Sequence, residues 1–182
     1  MQFNYDERKL TELLVYIADR LMSDNAGGAT KINKLLFFSD FAHVRRTGSP
    51  ITGAEYQKLE HGPAPRRLKP IRDQLVELGE AEIAMEDFLG YSVHRLIPKR
   101  PADTSVFQAA ELATVNKVIA DLDGLNARQV SDLSHEEAGW RAVQFGETIP
   151  YEAALLGATQ LSTPTTRRLE RSVAERRGLL PA

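Results

Sequence analysis

The chain of 182 residues contains no cysteine. This absence excludes disulfide bonds, thiolate metal ligands and cysteine nucleophiles, and it is compatible with a reducing compartment. A strong charge of one sign is also absent, since 23 Lys and Arg stand against 25 Asp and Glu and the formal net charge is -2. A near-neutral chain lacks the strongly basic surface that general nucleic-acid binding requires, although a local basic patch is still allowed.

Long hydrophobic runs are missing as well. No apolar run reaches the roughly 18 residues of a membrane-spanning helix, and residues 1–7 do not begin a secretory signal peptide. We therefore expect a cytoplasmic protein with no membrane association. With 42% hydrophobic and 26% charged residues, the composition is that of a globular protein. A chain of this length can build a sufficient core without a metal or a disulfide.

Apolar residues at three- and four-residue spacing predict a series of helices. The first covers about residues 10–21, and the second covers about 30–46. The second helix is apolar on more than one face, which predicts a central position inside a bundle. Further helices are predicted over about 65–78, 105–122, 126–133 and 151–156, and Ser134 with Glu137 forms a capping-box pattern that predicts a helix leading to Trp140.

A period of two replaces the helical period in the middle of the chain. Ala81, Ile83 and Met85 alternate with polar residues, and after a turn at 87–90 the alternation resumes from Tyr91. This pattern predicts a β-hairpin. The predicted fold is mainly α (α+β), a helical bundle of about six to seven helices with a small antiparallel β-hairpin or sheet. We expect one domain over 1–160 and a basic helical arm over 161–182.

The sequence offers little support for catalysis or for a bound metal. The histidines are His43, His61, His94 and His135, and no two of them have the i, i+4 spacing of a zinc-binding helix. Nucleotide-binding glycine patterns and the nucleophile-elbow motif are absent. We therefore expect no catalytic residues, no metal and no cofactor. One enzymatic alternative stays open, a hydrolase that pairs His61 or His135 with a neighbouring carboxylate.

A DNA-binding alternative also stays open. Arg66, Arg67, Lys69 and Arg72 precede the predicted hairpin, and a basic helix followed by a hairpin is the order of elements in a winged-helix transcriptional regulator. Clustered Arg and Lys would neutralise phosphates. Acidic residues in the hairpin oppose this interpretation, because they repel phosphate.

Four segments carry a recognisable pattern in a fixed order. They are KINKLLFFSD at 31–40, PITGAEYQKLEHGP at 50–63, LSH at 133–135 with Trp140, and IPYE at 149–152. Together they resemble the SocA-like antitoxin family, the Panacea domain, over about residues 10–157. The basic tail lies outside this resemblance.

The resemblance implies a function that composition alone does not indicate. Members of this family are antitoxins of bacterial and prophage toxin–antitoxin pairs, and they neutralise a cognate protein toxin by direct binding. One branch acts as a proteolytic adaptor that delivers its toxin to an unfoldase-protease. The expected partners are therefore a protein toxin and, in the adaptor case, an unfoldase-protease. A homodimer through the C-terminal helix is a further alternative, and nucleic acid is not an expected partner.

The candidate residues fall into two groups. We predict that a partner contacts Tyr56, Arg66, Arg67 and Tyr91, near the hairpin and the Gly-Pro turn. The remaining motif residues are predicted to be scaffold, held by Lys–Asp or His–carboxylate hydrogen bonds around that turn. This second group consists of Lys34, Asp40, Gly53, Gly62, Pro63, His135 and Trp140.

Overall fold

The computed structural model describes residues 3–25, 27–88 and 91–156, and for 86–88 and 91–93 it describes the backbone alone. Within these ranges the fold is mainly α with two small antiparallel strand pairs, which confirms the predicted fold class. The predicted helical arm at 161–182 lies outside the described residues, so the division of the chain at 160 stays a prediction. No helix in the described ranges is long and apolar enough to span a membrane.

The elements follow one another in a simple order. The helices are α1 Glu7–Arg20, α2 Ala29–Thr47, α3 Leu68–Glu77, α4 Ala109–Asp121, α5 Ala127–Glu136 and α6 Ala138–Ala142. The strands are β1 Tyr56–Gln57, β2 Ala64–Pro65, β3 Ala81–Phe88 and β4 Tyr91–Pro98. Short 3-10 turns lie at Thr104–Val106 and Tyr151–Leu155.

Helix α2 forms the centre of the molecule. Leu35, Leu36 and Phe37 on it are completely buried, and the helix contacts α1, α4, α5, β2 and the second 3-10 turn. This confirms the prediction of a central helix. Its sequence is apolar on several faces because neighbours cover it on several sides, and α1 is likewise buried on every face from Glu12 to Ala18.

The β1–β2 pair gains a third, strand-like segment from the end of the domain. Ile149 donates its backbone N–H to the carbonyl of Tyr56 at 2.7 Å, and Lys58 donates to Glu147 at 3.0 Å. The β3–β4 hairpin is separate and pairs in register from Ala81 opposite Pro98 outward. The end of the domain is therefore joined to the centre of the fold by backbone hydrogen bonds.

One buried cation fixes the base of the hairpin to α1. The guanidinium of Arg95 on β4 donates to the carbonyls of Leu21 and Asp24, each at 2.9 Å. These carbonyls lie just after the end of α1, where the helix itself provides no donors. Arg95 therefore stabilises the end of α1 and the position of the hairpin together.

Three predicted helix starts differ from the structure. Helix α4 begins at Ala109 rather than at residue 105, because Thr104–Val106 forms a separate 3-10 turn. Ser134 does not cap a new helix but lies inside α5, where its hydroxyl donates to the carbonyl of Ser131 at 2.6 Å. The following helix α6 begins only after Glu137. Helix α3 begins at Leu68 rather than at residue 65, because Ala64–Pro65 pairs as β2.

Candidate functional site

Asp40 on α2 is the most heavily hydrogen-bonded side chain in the described part of the chain, and it is completely buried. Its Oδ1 accepts the backbone N–H groups of Ile51 and Thr52 at 2.7 and 2.8 Å. Its Oδ2 accepts the hydroxyls of Thr52, Tyr56 and Tyr151. Burial raises the pKa of Asp40, and the hydrogen bonds from Thr52 and Tyr56 oppose that rise. One carboxylate therefore holds two distant loops against α2.

Tyr56 lies in the core and not on the surface. Only 1% of the residue is exposed, and its ring packs edge-on against Phe37 and Phe41, with centroids 5.5 and 5.8 Å away. The prediction of Tyr56 as a partner contact is corrected here, because a ring with no accessible surface and a hydroxyl bonded to Asp40 cannot reach a partner in this conformation. The sequence shows a tyrosine in a Gly- and Pro-containing segment, and such segments usually lie outside.

Gly53 and Gly62 both occupy places that a side chain would overfill. Gly53 has φ of 66°, and a Cβ there would lie 2.3 Å from the carbonyl oxygen of Asn4. Gly62 has φ of 93°, and a Cβ there would lie 2.3 Å from Oγ of Ser134 and 2.6 Å from Cε of Lys34. The Gly-Pro turn therefore rests directly on α2 and α5.

Lys34 lies beneath this turn and is 1% exposed. Its Nζ donates to the carbonyl of Pro63 at 3.2 Å, and burial lowers the pKa of Lys34 to about 8. The structure thus brings Lys34, Gly62 and Pro63 together, but not in the expected Lys–Asp pair. Asp40 instead accepts hydrogen bonds from hydroxyl and backbone N–H groups, because it lies farther along α2 than Lys34.

His135 and Trp140 stack on each other, with ring centroids 4.2 Å apart. The indole N–H of Trp140 points to the carbonyl of Leu59 at 3.4 Å. Burial and the charge of Lys34 lower the pKa of His135, while a hydrogen bond to the backbone of Glu60 raises it. Among the described residues no carboxylate bonds to this imidazole, so the expected His–carboxylate bond is replaced by stacking and a backbone contact.

The two arginines predicted as partner contacts point in different directions. Arg66 donates to the carbonyl of Gly146 at 2.6 Å and lies 3.6 Å from the carboxylate of Glu55. Arg67 donates instead to Glu7 at the start of α1, at 3.0 Å. Both arginines precede α3, so they do not share a helical face. The fourth predicted contact, Tyr91, begins β4, and its side chain lies outside the described part of the structure.

A cleft opens between the hairpin and the body of the molecule. We call it the hairpin cleft, and its cavity measures about 210 Å³. Apolar side chains form its floor, and Ile83 and His94 from the hairpin form one wall. Arg66, Lys69 and Arg72 line its rim. The floor consists of Leu14, Ile32, Ala64, Pro65, Leu68 and Leu96.

A second exposed apolar area adjoins the hairpin cleft at Leu59, which lines that cleft. We call it the aromatic surface; it consists of Trp140 and Phe145, with the Lys58 ammonium near both rings. Phe145 is 66% exposed. The Nζ of Lys58 lies 4.1 Å from the ring centroid of Trp140 and 5.2 Å from that of Phe145, within the range of a cation–π contact.

Sequence reasoning named Arg66 as a partner contact and Trp140 as scaffold, but it identified neither surface as a whole. The period-two pattern places Ile83 and Met85 on one face, but it does not reveal that this face extends past the body. Phe145 lies in a loop with no periodic pattern, so no local signal identifies it. The residues of each surface come from elements that are far apart in the sequence, and only the fold brings them together.

The basic residues near α3 do not form a free cationic helix. Lys69 and Arg72 both contact the carboxylate of Asp73, and farther along the chain Lys99 contacts Glu82 at 2.6 Å. Carboxylates therefore accompany most of the cations that the winged-helix alternative would need. In the described ranges no three His, Asp or Glu side chains are grouped so that they could hold a metal ion.

Comparison with known proteins identifies the family. A family model described as "Antitoxin SocA-like, Panacea domain" matches residues 32–141, which is more than half of the chain. The match spans α2, the Gly-Pro turn, the hairpin and the stacked pair His135 and Trp140. No curated protein and no solved structure is significantly similar to the chain. The chain belongs to the SocA-like antitoxin family and contains its Panacea domain.

Proposed function

We propose that this protein is the antitoxin of a toxin–antitoxin pair and neutralises a cognate protein toxin by binding it directly. The observation that carries the proposal is the family match over residues 32–141. The IPYE segment at 149–152, which resembles the same family, lies outside the matched residues and extends the resemblance beyond them. In this mechanism no covalent bond changes, and the toxin is inactive because part of its surface is covered.

The packing of the motif residues supports a preformed binding surface. Asp40, Lys34 and Tyr56 are engaged in internal contacts that fix the loops around α2. A surface whose backbone is already fixed loses little conformational entropy when a partner binds. Most of the binding energy would then come from a few anchoring side chains, as is typical of protein interfaces.

The test is co-expression with the protein encoded by the adjacent gene. We expect that protein to stop growth when it is expressed alone, growth to recover on co-expression, and the two proteins to co-purify as a stable complex. An unrelated protein expressed at the same level serves as the control. A neighbour that is harmless alone, or a rescue without any complex, would contradict direct neutralisation.

The same cells distinguish coverage from degradation. If the antitoxin acts by covering the toxin, the half-life of the toxin in a pulse-chase experiment is unchanged or longer when the antitoxin is present. If the antitoxin acts as an adaptor for an unfoldase-protease, the half-life becomes shorter, and deleting the protease restores it. We propose coverage as the mechanism, so a shortened half-life would contradict that part of the proposal.

A further inference from the structure

The hairpin presents an apolar face that the rest of the molecule covers only in part. The register places Ile83 opposite Leu96 and Met85 opposite His94, so these four residues share one face. Near the base Leu96 is 3% exposed, whereas Ile83 is 37% and Met85 is 70% exposed. The apolar face thus begins in the core and continues outward over the hairpin cleft.

The rim of the cleft carries more positive than negative charge. Lys69 and Arg72 share one carboxylate, that of Asp73. Arg66 pairs with the carboxylate of Glu55 at 3.6 Å, and the side chain of Glu55 is 69% exposed. Three cations therefore face two carboxylates, and a partner with carboxylates of its own would complement the difference.

A buried acceptor lies in the wall of the same cleft. The Oδ1 atom of Asn33 on α2 is inaccessible to solvent and has no hydrogen-bond partner among the described residues. A buried acceptor without a donor costs on the order of 1–3 kcal/mol. Since this atom has no accessible surface in the free protein, a backbone N–H of a bound segment would reach it only after the Asn33 side chain turns into the cleft.

The size of the cavity favours the side chains of a protein over an independent small molecule. Sites for drug-sized ligands usually measure about 300–1,000 Å³, whereas this cavity measures about 210 Å³. Anchor residues of a protein interface need only enough room for one or two side chains. Above the cavity, the overhanging Ile83 and Met85 extend the apolar contact area beyond the cavity itself.

We infer that the hairpin cleft is the docking site for the toxin and that it takes an acidic, partly apolar segment of that protein. This inference rests on the proposed antitoxin function. Apolar side chains of the segment pack on the cleft floor beneath Ile83 and Met85. Its carboxylates pair with Lys69 and Arg72 at the rim.

The experiment measures the dissociation constant of the purified complex with the adjacent-gene protein. Met85→Glu removes an apolar contact and adds a repelling charge, and we expect at least about a tenfold weakening. The double variant K69E/R72E reverses the rim charge and should weaken binding by at least as much. Met22→Glu is the matched control, since Met22 is an exposed methionine elsewhere (46% exposed), and we expect less than about a twofold effect.

Each outcome supports or overturns the inference. If wild-type protein binds the toxin and the cleft variants bind equally well, the docking site is wrong while the antitoxin function stands. Loss of binding in Phe145→Glu alone would move the site to the aromatic surface and overturn the inference. If wild-type protein does not bind at all, the proposed function itself fails.

Two further measurements control for unfolding of the variants and for self-association. Circular dichroism melting of each variant confirms that it is folded, which we expect because Met85 and Lys69 are largely exposed. Light scattering of the free protein tests whether a second copy occupies the cleft. If Met85→Glu converts a wild-type dimer to a monomer, the cleft is an interface between copies of this chain, and the inference is overturned.

Discussion

Among single residues, Asp40 has the largest effect on how the chain folds back on α2. Its carboxylate accepts two backbone N–H groups and three hydroxyls, and all of these donors are on other segments. A buried donor that loses its acceptor keeps its desolvation cost without compensation. The side chain therefore acts as a common acceptor for loops that are distant in sequence.

Asp40→Ala should lower the free energy of unfolding by at least about 3 kcal/mol, because five donors lose their acceptor at once. Urea denaturation followed by circular dichroism measures this loss. Tyr151→Phe is the graded control, since it removes one hydroxyl, which Asp40 shares at 3.2 Å with the carbonyl of Ala54 at 2.7 Å, and it should cost about 1 kcal/mol. If Asp40→Ala costs no more than Tyr151→Phe, the central role of the carboxylate is refuted.

Lys34 gives a pH dependence with a defined sign. Its pKa in the folded protein is about 8, below its ordinary value of 10.5, because burial disfavours the ammonium. Between these two values the unfolded chain binds more protons, so stability rises with pH in that window. At lower pH the buried charge costs about 3 kcal/mol, and this cost is relieved as Lys34 deprotonates.

The comparison that isolates this effect uses Lys34→Met. The free energy of unfolding of the wild type, minus that of the variant, should rise by about 2 kcal/mol between pH 7 and pH 10. The charge of Lys34 also lowers the pKa of His135, so the part of the comparison between pH 8 and pH 10 is the part that reports on Lys34. A difference that stays constant over this range would show that Lys34 keeps an ordinary pKa in the folded protein.

At the scale of elements, the Gly-Pro turn depends on close packing against two helices. Gly62→Ala should cost roughly 2 to 5 kcal/mol of unfolding free energy, because a positive φ is combined with overlap against Ser134 and Lys34. Gly48 after α2 has φ of 85°, and a Cβ at this position would meet no atom within 4 Å. Gly48→Ala should therefore cost only about 1 to 2 kcal/mol.

Thermal and urea unfolding of both glycine variants provide the measurement. The comparison separates the backbone cost, which both share, from the overlap, which only position 62 has. Equal losses at the two positions would mean that the turn can move away from α2 and α5 without consequence.

The elements differ in how far the sequence predicts them. Local apolar spacing predicts helices α1 and α2 and the hairpin, because buried side chains recur along the sequence at the period of the helix or strand that contains them. The boundary between α5 and α6 does not follow, since the hydroxyl of Ser134 bonds within α5 in a way that a capping pattern cannot reveal. The buried position of Tyr56 does not follow either, because its partner Asp40 lies 16 residues earlier and no local pattern links them.

For the whole molecule, residues 146–156, which we call the closing segment, complete the core. Ile149 and Ala154 are 2% exposed, and Tyr151 bonds to the carbonyl of Ala54 at 2.7 Å. A chain ending at residue 145 lacks these contacts, whereas a chain ending at 160 keeps them.

The two truncations form a matched pair. The chain ending at 160 should retain a cooperative thermal transition with a Tm close to that of the full-length protein. The chain ending at 145 should lose cooperative unfolding, because α2 is left uncovered along one side. Calorimetry distinguishes the two, and a folded 145-residue chain would show that the closing segment is dispensable.

The inward position of Asp40 and Tyr56 has a consequence for how this architecture can be reused. The residues that fix the path of the backbone are buried, so exposed residues can be substituted without a change in the fold. A library randomised at positions 69 and 72 of α3 and at positions 83 and 85 of β3 would keep the same backbone and change the side chains that it presents. Selection from such a library could redirect the domain to a different target while the interior remains untouched.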